Sequence, residues 1–212
     1  MEGKETSRLE AFSDGVIAIA ITLLALEIKV PGEQPEGKSL WIALFDQWPT
    51  YLALVTTFVM ILIMWINHHR MFSHIHRIDT VLMLLNGGIL LGITILPFTT
   101  ELVGEYLLKP DGQKQVAAIV YNGVFIFTAI FFNLAWRYAS QKDRLLNPQA
   151  DRDAVRGLTR QYMFGIPGYF ITLLIALVNF PLSLVLTIFI AIFFAFPNKL
   201  FSGARVTGET GP

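Results

Sequence analysis

The 212-residue sequence contains no cysteine. That excludes disulfides, thiolate nucleophiles and cysteine metal sites, while leaving the compartment open. Charge is scarce: Asp, Glu, Lys and Arg make up 15% of the chain, where a soluble domain carries about 25%. Net charge is zero, so nothing in the charge balance points to a nucleic-acid partner. There is no Gly-x-Ser-x-Gly elbow, no Ser–His pair in a helical context, and too few histidines for a histidine-box di-iron site. No nucleophile–base or metal constellation is left from which to build an enzyme, and no cofactor is implied. The N-terminal stretch MEGKETSRLEAFSDG lacks a small-residue cleavage site, so the first apolar segment is expected to be retained.

What the sequence has is apolar length. Hydrophobic residues make up 54% of it, with 17 Phe, and mean hydropathy is +0.56. A bilayer core needs roughly 20 helical residues to cross. Six apolar segments can be drawn: Leu9–Ile28, Pro49–His68, Asp79–Leu102, Val116–Tyr138, Gln161–Val178 and Leu182–Phe196. Trp41, Phe45 and Trp48 form an aromatic cluster of the membrane-interface kind. A long basic loop is read over Ala139–Arg160, and Asn179-Phe180-Pro181 makes a tight turn. Twelve of the sixteen Lys and Arg residues fall on one side of this arrangement, which places both termini in the cytoplasm. The reading is an all-α membrane protein with six transmembrane helices in one domain, residues 1–200, followed by a polar tail, residues 201–212. No internal duplication is visible, and no Thr-Val-Gly-Tyr-Gly string for a carbonyl filter.

The first segment organises the rest. On an ideal helix Ile19, Leu23 and Leu26 sit at i, i+4 and i+7 and make one stripe, with Thr22 inside it. Asp14 lies roughly 140° from Ile19. Two readings fit: an ordinary membrane helix with a polar end, or a pore-lining helix with a hydrophobic constriction. Six helices make too compact a bundle for a wide central channel, so a pore would form between copies of the chain. Arg8 and Asp14 are ionisable groups in or beside a span and need partners from other helices. Trp65, Asn67, His68 and His69 reach the depth of Asp14, and Asn86 sits about two turns into the third segment. These groups are expected to form a hydrogen-bonded network, structural or proton-handling. The four histidines lie within nine residues, His68 to His76. The spacing suits an interfacial loop better than a metal site.

Arg8-x-x-x-Phe12-Ser13-Asp14-Gly15 resembles the first helix of the transmembrane protein 175 family, the endolysosomal potassium channels and their bacterial relatives. Trp65-Ile-Asn-His68-His-Arg70-Met-Phe72 is similar to the family's Trp-x-x-His-x-Arg-x-Phe stretch. Asp79-Thr80, Leu84-Leu85-Asn86 and Leu96-Pro97-Phe98-Thr99 resemble its third span. The resemblance covers residues 8–102 and implies a homotetrameric, potassium-preferring cation channel in a bacterial-type inner membrane. Potassium is then the permeant ion, and the partners are the bilayer and further copies of the chain. It also implies that the first helices line the pore, with Ile19, Leu23 and Leu26 as the constriction and Thr22 as a selectivity layer. Arg8, Phe12, Ser13, Asp14, Trp65, His68 and Asn86 would be the inter-helix network. The rival reading is a proton channel or proton-coupled transporter that uses Asp14 and His68 as a relay.

Overall fold

The computed structural model describes residues 2–32, 39–109 and 112–196, with side chains from Thr6 onward. The polar tail 201–212 and the loop carboxylates Glu33 and Glu36 lie outside these residues. The regular secondary structure of the described residues is helical apart from one isolated bridge, Ile75–Leu146. Helix α1 spans Glu2–Leu23 and tightens into a 3-10 turn, Leu24–Glu27. A short α2 (Leu40–Asp46) carries Trp41 and Phe45 outward, both exposed. Then come α3 (Trp48–Phe72), α4 (Thr80–Tyr106) and α5 (Gln113–Ser140). They are followed by α6 (Arg152–Met163), α7 (Gly165–Ala176) and α8 (Phe180–Ala195).

Local chemistry sets the boundaries. Asp79 caps α4 by accepting from Leu82 N at 2.9 Å, Asp151 caps α6 from Asp153 N at 2.9 Å, and Asn179 caps α8 from Leu182 N at 3.0 Å. Pro49 and Pro181 occupy first turns, where a missing N–H costs nothing. Among the described residues, four helices are long and apolar enough to cross a membrane: α1 with its 3-10 turn, α3, α4 and α5. The fifth predicted segment is divided at Phe164 between the end of α6 and α7, and the sixth is the 16-residue α8.

The expected loop over Ala139–Arg160 is corrected: its second half is the start of α6. This helix buries Val155, Leu158 and Tyr162 on one face while Arg152, Asp153 and Arg156 stay exposed. Its mean polarity hides it from a hydropathy window, but its 3.6-residue period does not. α1 also starts earlier than Leu9. Its polar first turns are helical, and the Thr6 hydroxyl donates to the His76 carbonyl at 3.3 Å.

α4 and α5 pack most closely. A Cβ at Gly88 would overlap the Phe131 ring, and one at Gly92 would overlap the Thr128 hydroxyl. This is the small-x-x-x-small spacing by which backbones approach in an apolar medium. Buried polar pairs tie the other seams. The hydroxyls of Thr57 and Thr100 meet at 2.7 Å, and Asn122 Oδ1 accepts from Thr172 at 2.8 Å and Thr187 at 3.1 Å. At the predicted cytoplasmic end, Leu145 O accepts from His76 N and Arg77 N. Arg70 donates to Phe194 O and Ala195 O, and Gln161 Nε2 donates to Phe193 O and Phe196 O. Those four bonds satisfy the last carbonyls of α8.

The imidazole of His74, in the α3–α4 link, stands edge-on to Trp136 with ring centres 6.0 Å apart. Burial pushes it below its ordinary value; Asp151 pulls it back up and Arg70 adds to the push. A lowered folded value means that the unfolded chain binds more protons, so this contribution is intact above the unfolded value near 6.5 and erodes as pH falls through and below it. The thermal midpoint is therefore expected to fall between pH 7.5 and pH 5.5, and to fall less in His74→Gln. Parallel pH profiles for the two proteins would remove His74 from the account.

Candidate functional site

α1 has two unlike faces. Ser13, Ile17, Ala20 and Leu24, at i, i+4, i+7 and i+11, are almost fully buried against the bundle. Phe12, Asp14, Gly15, Ile19, Thr22, Leu23 and Leu26 lie on the outside of the chain. Only 22% of the α1 window is buried, against 39–44% for α3, α4 and α5. α1 is thus the spanning helix least covered by its own chain, and its uncovered face mixes large apolar side chains with a carboxylate, a hydroxyl and a glycine. A carboxylate is expensive in lipid and normally faces protein or a water-filled space.

The stripe is modified at its outer end. Because Leu24–Glu27 is a 3-10 turn, Leu26 follows Leu23 at about 120° per residue and eclipses it, instead of stepping back as on an ideal α-helix. Ile19 is 61% exposed, Leu23 42% and Leu26 73%. Thr22 Oγ1 donates to Ile19 O at 2.8 Å, not to the i−4 carbonyl of Ala18. That bond uses the hydroxyl proton and leaves the lone pairs free. Beyond the stripe, Lys29 pairs with Glu101 at 2.6 Å, exposed on both sides.

The buried side of α1 meets a short polar chain. Asn86 Nδ2 donates to Ser13 Oγ at 2.9 Å, and Ser13 Oγ donates to Leu9 O at 2.8 Å. His68 Nε2 lies 2.8 Å from Asn86 Oδ1. With the amide oriented this way Nε2 is the donor, which fixes the tautomer. Ser13, His68 and Asn86 are each at most 1% exposed, and the His68 ring stacks on Phe72 at 4.4 Å. Three helices, α1, α3 and α4, are thereby fixed to one another.

The other predicted network residues stand apart from that chain. Trp65 Nε1 donates to Asp14 Oδ1 at 2.8 Å, but this pair sits at the exposed edge between α1 and α3. Asp14 and His68 share no hydrogen bond among the described residues. Arg8 and Phe12 are exposed. His69 stacks on Trp65, with ring centres 6.2 Å apart. Asn67, one residue from His68, points about 100° away into the bundle, where its Nδ2 returns to Ile63 O. Among the described residues no group of three or more His, Asp or Glu is placed to hold a metal ion. Sequence reasoning passed over the Thr57–Thr100–Tyr121 and Asn122–Thr172–Thr187 clusters, because single hydroxyls in apolar helices carry no periodic signal.

The family model for the endosomal/lysosomal potassium channel TMEM175 matches residues 8–97, which contain α1 from Arg8 onward, the Trp65–Phe72 end of α3 and the Asn86 region of α4. A potassium channel of Chamaesiphon minutus is 47% identical over 92% of this chain and 95% of its own length. A potassium channel of Streptomyces collinus is 42% identical over 91% and 92%. The crystal structure of a lysosomal potassium-selective channel TMEM175 homolog from Chamaesiphon minutus superposes with a TM-score of 0.82 at 44% identity, covering 95% of this chain and all of that one. These relatives are ion channels, not enzymes. This chain therefore belongs to the TMEM175 family as a bacterial-type member.

Proposed function

We propose that the chain is a potassium-permeable cation channel, assembled as a homotetramer around an axis lined by α1. Residues 1–200 form one domain that crosses a bacterial-type inner membrane six times, with α6–α7 and α8 as the last two crossings and both termini cytoplasmic. The observation that carries this reading is the uncovered face of α1, with Ile19, Thr22, Leu23 and Leu26 pointing away from the bundle. Brought together around an axis, Ile19, Leu23 and Leu26 make rings of methyl groups. Such rings block ions by dewetting, because an ion that sheds water gains nothing from methyls. Opening means widening the rings until water stays. No carbonyl filter is needed; the Thr22 ring supplies oxygens, and potassium gives up its water shell more readily than sodium. Arg8, Phe12 and the Asp14–Trp65 pair lie where neighbouring copies meet, and Ser13, Asn86 and His68 hold α1 in place. No cofactor takes part.

The test is flux in liposomes with a potassium gradient and a proton-sensitive dye. A channel collapses the gradient with no stoichiometric proton movement; obligatory proton counterflow would favour the relay through Asp14 and His68. Thr22→Val keeps the shape and removes the oxygen. Under bi-ionic conditions it is expected to narrow the difference between potassium and sodium permeability with the assembly intact. An unshifted reversal potential would place selectivity elsewhere.

A further inference from the structure

On the side of α3 opposite the Trp65–Asp14 pair, three voids adjoin along the seam with α8. The outermost, about 330 Å³, opens beside Trp48 and Leu52 and reaches Thr56 and Ile188. The middle one, about 200 Å³, shares Thr56 and Ile188 with it and extends past Met60 and Ile63 to Ala191. The innermost, about 50 Å³, shares Met60, Ile63 and Ala191 and ends against Asn67, Tyr162 and Phe194. From Trp48 to Asn67 the seam follows about 28 Å of helix. Its walls are apolar almost throughout.

The exception is at the end away from Trp48. Asn67 is 5% exposed, and among the described residues its Oδ1 has no hydrogen-bond partner. Its Nδ2 is committed to Ile63 O, so exchanging the amide atoms would set two oxygens against each other. The Tyr162 hydroxyl donates to the Asn67 carbonyl at 3.3 Å, not to the side chain. A buried acceptor left without a donor costs on the order of 1–3 kcal/mol. Such a cost, at the end of an apolar slot, describes a ligand with a donor at one end and a hydrocarbon tail.

We infer that the α3–α8 seam is a binding site for a linear amphiphile with a neutral hydroxyl head, of the long-chain alcohol class. The hydroxyl donates to Asn67 Oδ1 in the innermost void, and the alkyl chain runs outward past Met60 and Ala191 into the middle void. A charged head is excluded, since no counter-charge lines the inner void. Access is lateral, between two helices with apolar outer faces, so the ligand arrives from the bilayer. Water alone would satisfy Oδ1 but would leave the apolar middle void unfilled.

The full chain in phosphatidylcholine nanodiscs is photolabelled with a diazirine-bearing octanol, and adducts are mapped by mass spectrometry. Saturable adducts are expected on the Met60–Met64 and Tyr162–Tyr169 peptides, displaced by octanol and not by octane. Asn67→Leu, which matches the branching of the amide and lacks the acceptor, is expected to weaken saturable labelling about tenfold, the loss of one hydrogen bond. Ala191→Phe blocks the seam with Asn67 intact and is expected to abolish it. If Asn67→Leu fails to assemble, Ala191→Phe and the octanol–octane comparison on the unaltered protein decide alone. Labelling that does not saturate, or octane competing as well as octanol, overturns the site. Absence of labelling with radiolytic oxidation of Met60 and Met64 means that water alone occupies the inner void, and also overturns it.

Discussion

Ile19→Asn is expected to raise potassium flux through the reconstituted protein by about tenfold, which corresponds to lowering the barrier by about 1.4 kcal/mol. Ile19 is 61% exposed on the face of α1 that the chain leaves uncovered. Its removal therefore opens no cavity in the bundle, and the substitution tests the pore and not the fold. In the proposed assembly one substitution acts four times around the axis. A ring of amides keeps water where a ring of sec-butyl groups expels it, so an ion no longer crosses a dry stretch. Leu23→Ala is expected to act in the same direction by widening the ring. Ile17→Asn is the contrast: Ile17 lies two residues earlier, about 200° round the helix, and is 1% exposed, so an amide there is buried in the bundle and is expected to cost assembly. Equal flux from Ile19→Asn and the unaltered protein, at equal reconstitution, would remove Ile19 from the conduction path.

The long helices were legible because hydropathy, caps and prolines agree along them. Asp79 before α4 and Asn179 before α8 are cap residues by type, and the structure uses both as caps. α6 was missed because its buried residues are diluted by arginines, and average hydropathy discards the period that marks an amphipathic helix. The division of the fifth segment at Phe164 carried a local signal that average hydropathy passes over: Gly165, Pro167 and Gly168 follow at once, and Gly165 packs against Phe194.

At the site, the helical phase of Ile19, Leu23 and Thr22 was legible, and so was the proximity of Trp65 to Asp14. Leu26 shifted because the end of α1 tightens into a 3-10 turn over Leu24–Glu27. The buried stripe of α1 went unread because Ser13 and Ala20 do not register as hydrophobic, although small residues are what close helix packing requires. Asn67 was grouped with His68 by depth alone. Depth places residues along a helix; only phase says which neighbour they face, and here one step of about 100° separates the polar chain from the α3–α8 seam.

Asn86→Leu is expected to be the most damaging single change in the polar chain. Asn86 joins α1 to α3 through two bonds, giving to Ser13 Oγ and accepting from His68 Nε2. Leucine matches the branching of the amide and is bulkier, so the substitution leaves no cavity, and overpacking adds to the polar effect. The imidazole N–H of His68, 1% exposed, is then buried with no acceptor, at a cost of on the order of 1–3 kcal/mol. Ser13 loses a donor but keeps its own bond to Leu9 O and should suffer less. With roughly 2–4 °C per kcal/mol for a chain of this size, the thermal midpoint in detergent is expected to fall by several degrees, with loss of the assembled species. Trp65→Phe, which breaks only the bond to Asp14 at the exposed edge, is expected to change the midpoint of the isolated chain little and the assembly more. Thermal melts and native mass for the two variants separate these effects. If Trp65→Phe lowers the midpoint of the unassembled chain as far as Asn86→Leu does, the division between a buried chain that orients α1 and an edge pair that meets the neighbouring copy is wrong.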